Sequence, residues 1–275
     1  MTENPYENLY IYYFEGVPAL DPGIERSREF LGTWVDEGVS FLFFSAPSRQ
    51  TVAGIEKANP AVKLVDTYEM TGEAWHGDRI EPYTIGNLNI CPPWLSHEPS
   101  PPGETRVFLD PGVVFGTGRH PTTEECLTLI HRLSTKTRLE TVVDIGTGTG
   151  LLALGAAALG ARRVLACDFN YLAVKTALNN VRINKMGDRI LAFQARGEQM
   201  MTLDCDLLVA NIHYDVMQHM IRHPLFSQKP HILLSGLLHS ETAKVMAELD
   251  SRGVHVLERR CPDGVWNTLL CRPKG

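Results

Sequence analysis

Several common signatures are absent from this 275-residue chain. No apolar run approaches the roughly 18–20 residues of a membrane-spanning helix, so no membrane segment is expected. The six cysteines (91, 126, 167, 205, 261 and 271) form no C-x-x-C pair, which argues against a zinc site or a dithiol motif, and no metal is predicted. There is no basic surplus: 26 Lys and Arg against 32 Asp and Glu leave a formal net charge of −6. The electrostatic footprint of a duplex binder is missing, and direct nucleic-acid binding is not expected. The opening MTENPYENLY carries no basic stretch followed by an apolar one, so no secretory signal is expected either. Scattered cysteines then read as small buried residues of a reducing compartment, and a cytoplasmic protein is expected.

What is present is ordinary globular composition, 44% hydrophobic and 21% charged, in a length that suggests about two domains. The one compositional break is PPWLSHEPSPP, residues 92–102, with five prolines in eleven residues. Proline fixes φ and removes a donor, so the tract reads as an extended crossing segment. The expected division is a small α+β domain over 1–72, a linker over 73–104 and an α/β domain over 105–275. In the first part, strands are predicted over Leu9–Phe14, Val39–Phe44 and Val62–Thr67. Helices are predicted over Ile24–Trp34, with Phe30, Leu31 and Trp34 on one face, and over Val52–Ala58. The result is a small sheet with helices on one face.

The second part alternates regularly. Strands over Thr141–Ile145, Val164–Asp168, Ile190–Gln194, Asp206–Ala210 and Ile232–Leu234 are interleaved with helices over Leu151–Leu159, Tyr171–Lys185 (closed by Gly187), Asp215–Ile221 and Glu241–Asp250. Such alternation builds a parallel sheet covered on both faces. Val254–Leu257 and Thr268–Cys271, separated by Pro262-Asp263-Gly264, add an antiparallel hairpin at one edge.

The chemistry concentrates at strand ends. Asp144-Ile145-Gly146-Thr147-Gly148-Thr149-Gly150 joins a buried strand to a helix, where glycines let backbone approach a ligand closely. Asp168 ends the next strand, 22 residues after Gly146, where a carboxylate can accept both hydroxyls of a ribose diol. The spacing is G-x-G-x-G, not the G-x-G-x-x-G of dinucleotide enzymes. Asp144 sets a carboxylate beside the loop where a pyrophosphate would want none. S-adenosylmethionine, with a sulfonium, an ammonium and a ribose diol, fits these groups better. Downstream, Asn211 can orient an amine or cap the helix that follows, and His120 and His213 are candidate proton acceptors. Glu198, after Gly197, is placed to meet an adenine edge. Upstream, the glycine-rich stretch Phe115-Gly116-Thr117-Gly118 can fold over a cofactor, with Thr122 or Thr123 capping a helix from Glu124.

These segments together resemble one family. DPGVVFGTGRHPTTEECL, VVDIGTGTGLLAL, ACDFN, DLLVANI and LLSGLL are similar, in the same order, to the hallmark loop and strand ends of the PrmA family, methyltransferases of large-subunit ribosomal protein eleven. The resemblance spans roughly residues 105–272. It implies a seven-stranded Rossmann-like class I methyltransferase sheet behind a substrate-recognition domain, with S-adenosylmethionine as cofactor and a large-subunit ribosomal protein as partner. It also implies that Thr123, Gly146, Asp168 and Asn211 contact the cofactor, and that Phe115 and Gly116 to Gly118 line the site, alongside Thr147, Gly148 and Gly150 of the glycine loop. The expected reaction is methyl transfer to protein amino groups, lysine side chains or an N-terminal amine, with Asn211 and His213 as catalytic candidates. Methylation of another protein lysine or a small amine, and cofactor binding without turnover, stay open. His213-Tyr214 departs from the Asn-Pro-Pro-Tyr of enzymes that methylate adenine, glutamine or cytosine amino groups.

Overall fold

The structure, a computed structural model, describes residues 3–99 and 102–274. The chain begins β1 (Asn8–Glu15), α1 (Pro22–Glu25), β2 (Phe30–Asp36), β3 (Val39–Phe44), α2 (Arg49–Ala58) and β4 (Lys63–Thr71). The strands form an antiparallel sheet in the order β2-β3-β1-β4, the split β-α-β arrangement. Side chains alternate across a strand. Tyr12, Phe14, Leu42 and Phe44 therefore meet Ile24, Val52 and Ile55 of the two helices. Leu9, Ile11 and Phe43 face the other way, against Val113, Val114 and Leu172.

One expectation fails here. Residues 24–34 are not a helix: α1 is four residues long, and Phe30–Asp36 is a strand. A bulge between Phe30 and Gly32 shifts the register, so Leu31 and Trp34, three residues apart, pack into the same cluster as Ile11 and Phe43. Apolar spacing of three then imitates a helical stripe.

Between the two larger sheets the chain forms α3 (Gly72–His76) and a three-stranded sheet of β5 (Tyr83–Ile85), β6 (Leu88–Cys91) and β7 (Thr105–Phe108). The proline-rich tract crosses from β6 to β7; its Ser100 and Pro101 lie outside the described residues.

The rest is α4 (Pro121–Ser134), β8 (Thr141–Ile145), α5 (Leu151–Ala158), β9 (Arg163–Asp168), α6 (Tyr171–Ile183), β10 (Ile190–Gln194), β11 (Leu207–Asn211), α7 (Tyr214–Ile221), β12 (His231–Leu238), α8 (His239–Ser251), β13 (Val254–Arg260) and β14 (Trp266–Pro273). Seven strands make one sheet, ordered β10-β9-β8-β11-β12-β14-β13. The first five run parallel, and β14 and β13 close the edge as an antiparallel hairpin. Both faces are buried: Leu207 and Val209 face one core, Leu208 and Ala210 the other. This explains why the strands read as unbroken apolar runs. α6 ends at Ile183, and Lys185, not Gly187, takes the left-handed turn at φ 55°. Among the described residues no helix is long and apolar enough to cross a membrane.

Candidate functional site

Strand order reverses between β8 and β11, since the chain runs β8, β9, β10 outward and then returns to the other side of β8. A ligand crevice forms beyond the strand tips at such a switch point. The glycine loop leaves β8 there, Asp168 ends β9 beside it, and Asn211 ends β11 opposite.

The loop requires its glycines. Gly146, Gly148 and Gly150 have φ of 68°, 55° and 84°, a region that costs other residues. A side chain at Gly146 would strike Ile212, and one at Gly148 would strike the Phe115 carbonyl. The Phe115–Gly118 segment lies directly on this loop: the Thr149 amide donates to the Phe115 carbonyl (3.2 Å) and the Thr149 hydroxyl to the Gly116 carbonyl (2.7 Å). The two glycine-rich stretches form one double-layered cradle, with the Phe115 ring 57% exposed at its rim.

Asp168 is buried, with no cationic partner among the described residues. One carboxylate oxygen accepts from the Gly148 amide (3.1 Å) and the other from the Asn170 amide (2.9 Å). Burial raises its carboxyl above the ordinary range, opposed by these backbone amides. A carboxylate has about four acceptor positions, so lone pairs remain for a diol. Glu198 sits in the turn after β10, whose Ala195 amide donates to the Asp168 carbonyl (3.0 Å). This places Glu198 on the Asp168 side of the crevice.

Asn211 is not a helix cap: α7 starts at Tyr214 behind His213. Its amide nitrogen donates to the hydroxyls of Thr122 (3.2 Å) and Thr123 (3.3 Å), and its carbonyl oxygen accepts no hydrogen bond among the described residues. β12 bulges at Gly236, φ 86°, where a side chain would press on that oxygen and on the Ile212 carbonyl. Neither threonine caps α4, which starts at Pro121 with His120 as its cap. The Asn211 amide donates to Thr122 Oγ1, and the Thr122 hydroxyl lies 2.8 Å from His120 Nδ1, which also faces the Thr122 amide. With Nδ1 accepting, a neutral imidazole carries its proton on Nε2. Burial lowers the His120 pKa, so this neutral form prevails. His120 Nδ1 is thus engaged at the start of α4. Its ring stands between those of Phe115 and Trp266, at 5.4 and 5.2 Å. His213 is exposed and makes no side-chain hydrogen bond among the described residues.

The family of ribosomal protein L11 methyltransferases (PrmA) matches residues 44–274. The chain belongs to the PrmA family. A ribosomal protein L11 methyltransferase of Lacticaseibacillus paracasei is 33% identical over 252 residues, 91% of this chain and 74% of that protein. One of Streptococcus equi subsp. zooepidemicus is 33% identical over 186 residues; this chain spans 57% of its length. A solved ribosomal protein L11 methylase of Lactobacillus delbrueckii subsp. bulgaricus superposes at a TM-score of 0.61 with 26% identity, over 71% of this chain and all of that one. The fold is that of class I methyltransferases, and by family the chain is a methyltransferase.

Within this PrmA-family fold, Asp144 departs from expectation. Its carboxylate does not face the crevice. It is 1% exposed, one oxygen accepts from the Thr147 hydroxyl (2.5 Å), and the other has no hydrogen-bond partner among the described residues. It braces the loop from within. Burial lifts it to about 6, with the Thr147 hydroxyl opposing and Asp168 adding. The folded value exceeds the unfolded one, so the folded chain holds an extra proton between them and stability falls as pH rises from about 4 to about 6. Asp144→Asn keeps an acceptor for Thr147 and is expected to flatten this slope. Its melting temperature gains on the parent's through that window, by an amount worth at most about 3 kcal/mol, in thermal melts from pH 4 to 8.

Two contributors escaped the sequence reading. Asn180 of α6 and Asn184 just past its end, one turn apart, grip a passing backbone as a neighbouring strand would. The Phe108 amide donates to Asn184 (2.8 Å), whose side chain donates back to the Phe108 carbonyl (2.6 Å). The Asp110 amide and carbonyl pair likewise with Asn180 (2.8 and 2.7 Å), which also reaches the Thr149 carbonyl (2.9 Å). Polar residues on the buried face of an amphipathic helix were the available signal. From the other side, Tyr6 donates to Asp110 (2.6 Å), Trp75 to the Val113 carbonyl (3.1 Å), and His76 Nε2 meets the Gly112 carbonyl (3.1 Å). Residues 108–113 are clasped between α6 and the N-terminal segments.

Proposed function

We propose that this chain transfers methyl groups from S-adenosylmethionine to amino groups of a large-subunit ribosomal protein in the cytoplasm, on lysine side chains or the N-terminal amine. Ribosomal protein L11, the substrate in its relatives' names, is the first candidate. Residues 1–72 are then the substrate-recognition part, 73–104 the connection and 105–275 the transfer domain. The observation that carries this reading is the free carbonyl oxygen of Asn211, held by Thr122 and Thr123 at the switch point between the glycine cradle and Asp168.

The residues fit the cofactor. Asp168 offers two oxygens to its ribose, the backbone of Gly146, Thr147, Gly148 and Gly150 gives a cradle that a Cβ would fill, and Thr123, Phe115, Gly116, Thr117, Gly118 and Glu198 complete the walls. When bound, the sulfonium supplies an electrophilic methyl group. The chain's own task is to present a neutral nitrogen in line with it. A lysine is only about 0.04% neutral at pH 7, and an apolar cleft beside the crevice disfavours its ammonium. Asn211 Oδ1 accepts an N–H of the neutral amine and aims its lone pair. The amide of Asn211 cannot rotate away, because both threonine hydroxyls hold it. Asn211→Ala is expected to bind S-adenosylmethionine within about threefold of the parent while kcat drops roughly 10–100-fold, measured by calorimetry and by methyl transfer.

The functional test is transfer of tritium from labelled cofactor by the purified chain. Label on purified L11, mapped to amino groups by mass spectrometry, is the expected result. Label on small amines alone, or none despite cofactor binding, overturns the reading.

A further inference from the structure

A cleft of ≈ 760 Å³ opens between the N-terminal sheet and the Phe115–Pro121 loop. Its walls are mostly apolar, with Trp34, Phe41, Tyr68 and Trp75 on one side and Phe115 on the other. Its lining includes neither Gly146, Asp168 nor Asn211, so it lies across the loop from the crevice just described. One guanidinium borders it, that of Arg119.

Four arginines are half-buried among the described residues: Arg106, Arg119, Arg252 and Arg260. Three are satisfied. Arg106 bonds Asn89 and the Glu98 carbonyl, Arg252 bonds Glu248, and Arg260 bonds Glu125. Arg119 alone makes no side-chain hydrogen bond and has no carboxylate within 4 Å among the described residues. Its Nε is sealed from solvent without an acceptor, which leaves the N–H groups of Nη1 and Nη2 for the cleft. The guanidinium lies over the Tyr83 ring, 4.6 Å from its centre. That ring is itself fixed, for its hydroxyl donates to the Thr117 carbonyl (2.7 Å) under the backbone of Gly118. A stacked arginine has already lost much of its rotamer freedom, and its planar fork matches a carboxylate. Apolar walls strengthen such a pair.

We propose that Arg119 is the seat for a carboxylate of the protein acceptor, an Asp or Glu side chain carried near the amine to be methylated. The inference rests on the reading of the chain as a protein methyltransferase and adds a specificity determinant to it. An acceptor with an acidic residue in register is held by its carboxylate on one side of the loop while its amine reaches Asn211 on the other.

The test compares Arg119→Ala and Arg119→Lys with the parent, after melts confirm folding. With L11 as acceptor, Arg119→Ala is expected to raise the acceptor KM about tenfold or more, with cofactor Kd and kcat each within about twofold. Arg119→Lys, which keeps the charge and loses the fork, recovers only part of the loss. Unchanged KM, or a loss confined to cofactor Kd, overturns the proposal and leaves the function standing. If the parent labels no L11, the functional reading has failed, and Arg119 is then tested by itself. Glutarate, and not glutaramide, should protect Arg119 from phenylglyoxal, read by mass spectrometry on the whole chain. Equal modification with both overturns the carboxylate seat.

Discussion

Gly148→Ala is expected to cost the chain its cofactor and several degrees of melting temperature. Two terms add. At φ 55° an alanine pays roughly 1 kcal/mol in the left-handed region. Its Cβ also meets the carbonyl of Phe115. That neighbour is backbone and cannot rotate aside, so the two glycine-rich layers must separate, at roughly 1–3 kcal/mol more. Together these lower the melting temperature by roughly 5–10 °C for a chain of this size. Because the displaced layer is also a wall of the crevice, cofactor affinity falls at least about tenfold. Gly253→Ala is the control: its φ is 69° and a Cβ there meets nothing within 4 Å. It pays the conformational cost alone and binds cofactor like the parent. If both variants bind alike, the cradle is not where the cofactor lies.

Asp168→Ala is expected to weaken cofactor binding by about a hundredfold or more, two charge-assisted bonds of about 1.5–3 kcal/mol each being lost. The apo protein should hardly suffer. Burial already disfavours this carboxylate, and removing a buried charge that has no cationic partner among the described residues offsets the two amides left unpaired. Affinity and folding therefore separate, which calorimetry and thermal melts will show. The raised carboxyl pKa adds a pH signature. The parent should lose affinity on acidification while still above the ordinary carboxylate range, since the diol's acceptor becomes protonated there, and Asp168→Ala should not. A variant that keeps the parent's dissociation constant removes Asp168 from the site.

The larger sheet was legible because its strands are buried on both faces and end in short punctuated turns: Gly146 to Gly150, Asp168 and Asn211 all mark themselves locally. The N-terminal sheet was harder. Its second strand hid behind the bulge at Gly32, which accommodates Leu172 of α6 and breaks the period of two on which strand recognition depends. Asp144 was misjudged for another reason. Its sequence position fixes nearness to the loop, whereas the direction of its carboxylate depends on Thr147 three residues on. The roles of His120 and Arg119 rest on Thr122, Asn211 and Tyr83, partners brought together only by the tertiary fold. Asn180 meets Asp110 across 70 residues of sequence, a pairing no local pattern announces.

The asparagine clasp has a mechanical consequence. α6 begins three residues after Asp168, and the asparagines in its last turns and at its end fasten residues 108–110 by amide pairs, so the stem of the Phe115 loop is riveted to the helix that follows Asp168. Entry and exit of a ligand cannot proceed by lifting that loop at its root. Any opening has to come beyond it, by breaking the Thr149 bonds to Phe115 and Gly116 and the Tyr83 bond to Thr117 while the base stays anchored.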